Sequence, residues 1–290
     1  MLGVIIALTP ACIAGVIIFG YMAFINLAVC IASCVFFEYI LRRMMKRPQT
    51  ISDMSAVVTG MLLGMNLPPT INPLYGVIGS FVAIGIAKQL FGGIGQNFAN
   101  PAIVGRIVLM LSFTASMSTW CKPFYYLNGA DVVTGATPLV SKDADYLSLL
   151  LGTTGGCIGE TCAIALIAGG IYLIAARIIT PHAPAAFIGT VFLLTLIAGD
   201  DPIYAVLSGG LIIGAFFMAT DYATTPLTGK GKIIFGIGCG LITFAIRKFG
   251  NYPEGVSFSI LLMNLLVPYI DRLCETKPVG AKAPEKEASK

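Results

Sequence analysis

Runs of apolar residues long enough to cross a bilayer fill most of this chain, and that limits it to architectures with lipid around them. A membrane-spanning helix takes roughly 20 apolar residues. Ten candidate runs lie at 2–20, 23–41, 54–67, 74–91, 102–118, 157–178, 184–199, 203–219, 233–249 and 256–271. The third ends at Asn66-Leu67-Pro68-Pro69, which reads as a half-helix or a broken one. Irregular backbone at that depth has to face protein or a polar cavity, because lipid offers no hydrogen-bond partner. Only 11% of the 290 residues are charged, against about 25% in a soluble domain. No basic segment leads into a short apolar core, so no cleavable signal peptide is expected.

The basic residues orient the runs. With the N-terminus in the cytoplasm, alternation puts 14 of the 18 basic residues on the cytoplasmic side, Lys88 and Arg106 among them. Lys122, Lys142, Arg247 and Lys248 fall outside. This is the positive-inside bias of a multi-pass protein of the cytoplasmic (inner) membrane, with both termini inside. The net charge of +4 follows from topology, and nucleic acid is not an expected partner.

The two halves resemble each other weakly. Ser52-Asp53 followed by Ala56-Val57-Val58-Thr59-Gly60 is similar to Asp200-Asp201 followed by Ala205-Val206-Leu207-Ser208-Gly209. Phe91-Gly92 with Asn97-Phe98-Ala99-Asn100 is similar to Phe249-Gly250 with Asn251-Tyr252-Pro253-Glu254. Duplication and chance likeness of Gly-rich helices both account for this. Under duplication, five spans per unit make the second unit inverted, an architecture of many transporters. The division is then a first membrane repeat over 1–118, an extracytoplasmic loop over 119–156, a second repeat over 157–272 and a polar cytoplasmic tail, read as disordered, over 273–290. Interruptions at Asn66–Pro73 and Thr220–Thr228 occupy matching places.

The loop holds the most specific motif, Asp131-Val132-Val133-Thr134-Gly135-Ala136-Thr137. It matches the acceptor pattern of flavin transferases, in which the final Thr is esterified to the phosphate of FMN. Thr137 supplies the nucleophilic oxygen, Gly135 and Ala136 keep the approach clear, and Asp131 and Thr134 serve recognition. Such a site is expected on an exposed loop that the transferase can reach. The competing reading is a plain turn, Thr-Gly-Ala-Thr-Pro, at a helix boundary.

Other chemistry-bearing residues are sparse. None of the eight cysteines forms a C-x-x-C pair, so no iron–sulfur or zinc site is expected and packing is the favoured role. Cys121 and Cys157 flank the loop and are open to pairing. His182, the one histidine, reads as a surface residue. Asp53, Asp200 and Asp201 read as helix caps. Glu38 and Glu160 lie deeper and are candidates for an ion path, with packing partners as the alternative.

The segments Ser52–Leu63, Phe91–Ala102, Thr134–Leu139, Ala219–Asp221 and Tyr252–Val256, continuing to Met263–Pro268 and Asp271-Arg272, together resemble the D subunit of Rnf electron-transport complexes, RnfD. That family is related to NqrB, the B subunit of the sodium-pumping NADH:quinone reductase. The resemblance covers nearly the whole chain. It implies an all-α polytopic fold of about ten transmembrane helices as two inverted five-helix repeats, similar to urea transporters. It implies electron transfer between ferredoxin and NAD coupled to sodium or proton export, with covalent FMN on Thr137 and often a noncovalent riboflavin. Implied partners are the A, B, C, E and G subunits of an Rnf complex, with a second covalent FMN on G, and the flavin transferase. In one departure, family members usually carry a basic cytoplasmic segment before the first helix, whereas here apolar sequence starts at Met1. A passive channel or transporter of the same fold and an NqrB-like subunit of the quinone reductase are the other readings.

Overall fold

Apolar runs of this length form helices because a helix satisfies its own backbone away from water. A computed structural model describes residues 1–127, 137–141, 144–250 and 254–275, with the backbone alone at Val140 and Ser141. Two long helices come first, α1 (Leu2–Phe19) and α2 (Tyr21–Met44), joined at Gly20, whose φ of 75° suits the turn. Then come α3 (Ser55–Met65), α4 (Pro73–Phe81), which runs on as a π-helix over Val82–Gln89, and α5 (Pro101–Ser112). The later part holds α6 (Ala163–Ala175), α7 (His182–Ile197), α8 (Pro202–Leu207), α9 (Gly229–Phe249) and α10 (Val256–Leu273). Four of these, α1, α2, α9 and α10, are long and apolar enough to cross a membrane.

Helix starts follow from local chemistry. Asn72, Asn100 and Asp201 each accept an amide hydrogen bond in the first turn, and each is followed by proline at the first helical position. Such a cap is worth about 1 kcal/mol, and proline there loses no helical bond. Asp53 accepts from the amide of Ser55, the first residue of α3, at 2.7 Å. Asp200, expected as a cap, instead pairs with Lys248 at 2.6 Å. His182 is exposed, as expected.

Small residues bring the helices together. A Cβ on Gly60 would lie 2.6 Å from Ile31 Cα, and one on Gly64 would lie 3.2 Å from Leu27 Cα, so α3 lies directly on α2. On α9 the same spacing recurs. A Cβ on Gly236 would lie 2.6 Å from the Ala183 carbonyl oxygen and one on Gly240 would lie 2.6 Å from Thr190 Cβ, both on α7. Glycines four apart allow this approach in membrane helices. Gly236→Leu is therefore expected to cost about 1–3 kcal/mol from overpacking. Gly189→Ala, which meets nothing within 4 Å, is the control. Thermal stability of the detergent-purified protein checks this, and equal loss in both variants would refute it.

The core runs through both halves, with Leu63, Met65 and Ile103 in one cluster with Phe187, Ile213 and Phe235. Outward faces are also apolar, as at Ile6, Ile13 and Ile17 on α1, which suits contact with acyl chains.

Two expectations about the runs need correction. Run 157–178 becomes helical only at Ala163. Ile158 and Gly159 spend their amides on the carbonyls of Leu67 (3.1 Å) and Met65 (2.7 Å), just past and at the end of α3. The Asn26 side chain donates to the carbonyls of Pro69 (2.9 Å) and Ile71 (3.0 Å). The buried break after α3 is thus lined by protein, and its backbone is satisfied there. Run 203–219 is broken after α8 at Ser208–Gly210, where Gly209 has φ 70°. It resumes as a short helix over Leu211–Ile213 and a π-helix over Gly214–Met218. In the loop, a helix over Tyr146–Leu151 is too short to show a period in sequence.

Candidate functional site

Of the flavin-acceptor motif, Thr137 lies within the described residues, while Asp131, Thr134, Gly135 and Ala136 lie outside them. Thr137 is only 3% exposed, in place of the open position expected for it. It lines a crevice of about 10 Å³ with Gly156, Glu160, Thr161, Ser208 and Gly209. The break after α8 creates this seat: a Cβ on Gly209 would lie 2.7 Å from Leu139 Cδ1. Tyr204 on α8 donates its hydroxyl to the carbonyl of Pro138 at 2.9 Å. Burial comes from this packing of Pro138 and Leu139 onto α8 and the break.

The crevice is too small for a flavin. Leu139 and Ser208, however, also line a neighbouring cavity of about 390 Å³ between α7, α8 and α9. Thr137 itself lines only the crevice, with its hydroxyl buried, so a flavin ester on it requires the crevice to open. Near the rim, Asp201 accepts from the Tyr146 hydroxyl and caps α8. The Tyr146 hydrogen bond, then the backbone amides, hold its carboxyl below the ordinary aspartate range.

Behind the crevice sits a buried charge cluster that the sequence reading did not assemble. Arg106 of α5 is 3% exposed. It donates to Glu160 (3.1 Å), Glu254, Asn66 Oδ1 (2.5 Å) and Ser257 Oγ (3.1 Å). Cys157 Sγ lies 3.6 Å from the same guanidinium. The groups come from α3's end, α5, the segment before α6 and the start of α10. Donor atoms of Cys157, Glu160 and Glu254 lie within 4.8 Å of one another, and the Arg106 guanidinium supplies the positive charge among them. Cys157 is therefore more than a packing residue. It and Cys121 are both free thiols, so the open pairing does not form.

A second cluster joins Glu38 of α2 to Lys88 of the π-helix at 2.7 Å, with Ser55 Oγ at 2.6 Å from Lys88 and Thr50 donating to Glu38 at 2.8 Å. Lys88 also borders a cavity of about 110 Å³ with Thr59, Asn97, Asn100 and Asp221. Lys88 and Arg106, placed on the cytoplasmic side by alternation, are both buried ion-pair members. An ionisable residue inside an apolar run was the available signal. Asn100, which caps α5, donates to the Met218 carbonyl at 3.2 Å and so ties the two halves together.

A model of the NQR2, RnfD, RnfE family matches residues 1–280. The chain belongs to this family. Among its relatives there, the D subunit of the Na+-translocating ferredoxin:NAD+ oxidoreductase complex of Acetobacterium woodii is 46% identical over 297 residues, covering 99% of this chain and 92% of the relative. The D subunit of the proton-translocating ferredoxin:NAD+ oxidoreductase complex of Clostridium ljungdahlii is also 46% identical, over 304 residues, covering 97% and 91%. The D subunit of the ion-translocating oxidoreductase complex of Stutzerimonas stutzeri is 38% identical over 328 residues, covering 98% and 92%. The family thus includes relatives at equal identity that are named for different ions, so identity does not select the ion here.

Proposed function

We propose that the chain is the D subunit of an ion-translocating ferredoxin:NAD+ oxidoreductase (Rnf) complex and carries FMN esterified to Thr137. The observation that carries this reading is the acceptor motif ending at Thr137 in a chain of this family. Family membership and relatives named as D subunits support it.

FMN takes electrons singly or in pairs, so it joins carriers of either kind. The chain's part is to hold and surround it. Thr137 Oγ bears the ester, Tyr204 fixes the neighbouring Pro138 carbonyl, and the packed crevice excludes bulk water. The buried Arg106–Glu160–Glu254 and Lys88–Glu38 clusters are fixed charges between helices. In a membrane such groups mark ion or proton routes or lock helices together. The A, B, C, E and G subunits are the expected partners and a flavin transferase the maturation enzyme. The location is the cytoplasmic membrane, with Thr137 on the outer side. We also read the ten apolar segments as two inverted five-helix repeats resembling urea transporters. The interruptions at Asn66–Pro73, after α3, and Thr220–Thr228, before α9, which occupy matching places in the repeat, support this.

The test is in-gel flavin fluorescence of the denatured protein, made with and without the transferase. A band that needs the transferase is expected. Its absence, with the transferase active on a control acceptor, would sink the flavoprotein reading and leave a channel or transporter of this fold.

A further inference from the structure

The connection from α6 to α7 and the first turn of α9 gather cations at one end of the bundle. Arg177 stands exposed just past α6, and His182 is exposed at the start of α7. Lys232 of α9 donates to Thr180 Oγ at 3.1 Å. A Cβ on Gly229, the first residue of α9, would lie 3.9 Å from His182 Nε2. No carboxylate among the described residues lies within 4.0 Å of Arg177 or Lys232. The chain has no acidic residue between Glu160 and Asp200, nor between Asp221 and Glu254. Asp271, which reaches the same end, accepts from the Leu227 amide at 3.0 Å. Positive-inside topology puts cations on this side of the membrane, but it does not require them to meet at one place.

An apolar groove of about 400 Å³ begins at these cations. Its lining carries no polar side chain, and it includes Ile174 of α6, Pro184, Ile188 and Phe192 of α7, and Phe216 of the π-helix. Arg177 follows Ile174 by one helical turn of sequence, and Pro181, which also lines the groove, lies between Thr180 and His182. Cations and groove therefore share an end. From Pro181 to Phe192 the groove follows α7 for about 16 Å, at about 1.5 Å per residue. One leaflet supplies about 15 Å of hydrocarbon, half of a core about 30 Å thick. Gly189 keeps the groove open, since a Cβ there would meet nothing within 4 Å, and Phe192 is exposed along it.

We propose that this groove binds an anionic phospholipid, with one acyl chain lying along α7 and the phosphate held by Arg177 and Lys232, His182 adding a ring N–H. The depth of the groove matches one leaflet, and the charge at its end matches the headgroup. Basic pockets between membrane helices on the cytoplasmic side take such headgroups. A zwitterionic lipid offers the same chain, but its own cation opposes these residues, so the selection is made at the headgroup. The proposal needs only a chain set in a membrane and is independent of the flavin at Thr137.

The test titrates the full chain in detergent with phosphatidylglycerol and with phosphatidylcholine of the same acyl chains. Native mass spectrometry reads the lipid retained. The wild type is expected to retain phosphatidylglycerol in preference. Arg177→Gln and Lys232→Gln should each weaken that retention about fivefold, the worth of one cation at a membrane surface, and leave phosphatidylcholine unchanged. Arg177 is exposed, so its variant is expected to fold and decides by itself if Lys232→Gln is not recovered. Gly189→Leu, which fills the groove, should weaken both lipids. Equal retention of the two lipids by the wild type, or phosphatidylglycerol retained unchanged in Arg177→Gln, would overturn the proposal. Wild-type retention in Gly189→Leu would overturn the seat of the acyl chain and with it the proposal. A photoreactive side chain placed at position 192 that captures a partner subunit in native membranes, and no lipid, would assign the groove to a protein helix and also overturn it.

Discussion

Arg106→Met is expected to leave little folded protein in the membrane. The substitution removes the guanidinium that Glu160 and Glu254 share and also strands the Asn66 and Ser257 side chains bonded to it. Breaking a buried ion pair from one side costs about 3–5 kcal/mol, because the remaining charge has no partner. Here two carboxylates would face each other. That is comparable to the whole stability of many domains, about 5–15 kcal/mol. The remedy follows from the same physics. Adding Glu160→Gln and Glu254→Gln removes both stranded charges and is expected to restore much of the yield. Membrane-fraction immunoblots and thermal stability in detergent are the measurements. Wild-type stability in Arg106→Met alone would show that the cluster does not hold the helices.

Thr137→Ala is expected to abolish the covalent flavin band and reduce ferredoxin-dependent NAD+ reduction by the assembled complex to background. In the proposed reading the Thr137 hydroxyl oxygen is the atom that forms the ester, and alanine has none. The fold should survive. Losing one side-chain hydroxyl costs about 1 kcal/mol, and the packing of Pro138 and Leu139 onto α8 does not involve it. Thr137→Ser keeps the oxygen and should retain flavin. The measurements are in-gel fluorescence, complex activity and membrane yield, taken together. Loss of yield along with flavin would mean that the segment is structural, and flavin retained in Thr137→Ala would place the ester elsewhere.

The helices were legible in the sequence because lipid imposes one strong requirement, a long apolar run, and leaves few alternatives. What hydropathy averages over was not legible. The break at Ser208–Gly210 lies inside an apolar run, and its free carbonyls are met by Arg247, a residue 39 positions on from Ser208. Residues 157–162 read as the start of a span, but the amides of Ile158 and Gly159 are used on the end of α3. Alternation gives Arg106 and Lys88 a side of the membrane but not their burial, because it counts charges without knowing their partners. The Asn66 bonded to Arg106 and the Glu38 bonded to Lys88 lie 40 and 50 positions away. The acceptor motif was readable because it is local and has a fixed spacing. The burial of Thr137 was not, since it depends on α8 and on the segment before α6, both distant in sequence. Asp131, Thr134, Gly135 and Ala136 lie outside the described residues, so their expected roles stand as sequence readings.

Glu160 borders the Thr137 crevice and also binds Arg106. It stands between the crevice and the buried charges. Neither Gly156 nor Thr161 beside it carries charge, so Glu160 is the charged residue of the crevice lining. In a medium of low dielectric, charges a few ångströms apart interact by several kcal/mol. A change of charge in the crevice is therefore felt by Glu160, which lines it. The group placed to answer it is the Arg106 guanidinium, which is bonded at once to the broken end of α3 and to the start of α10.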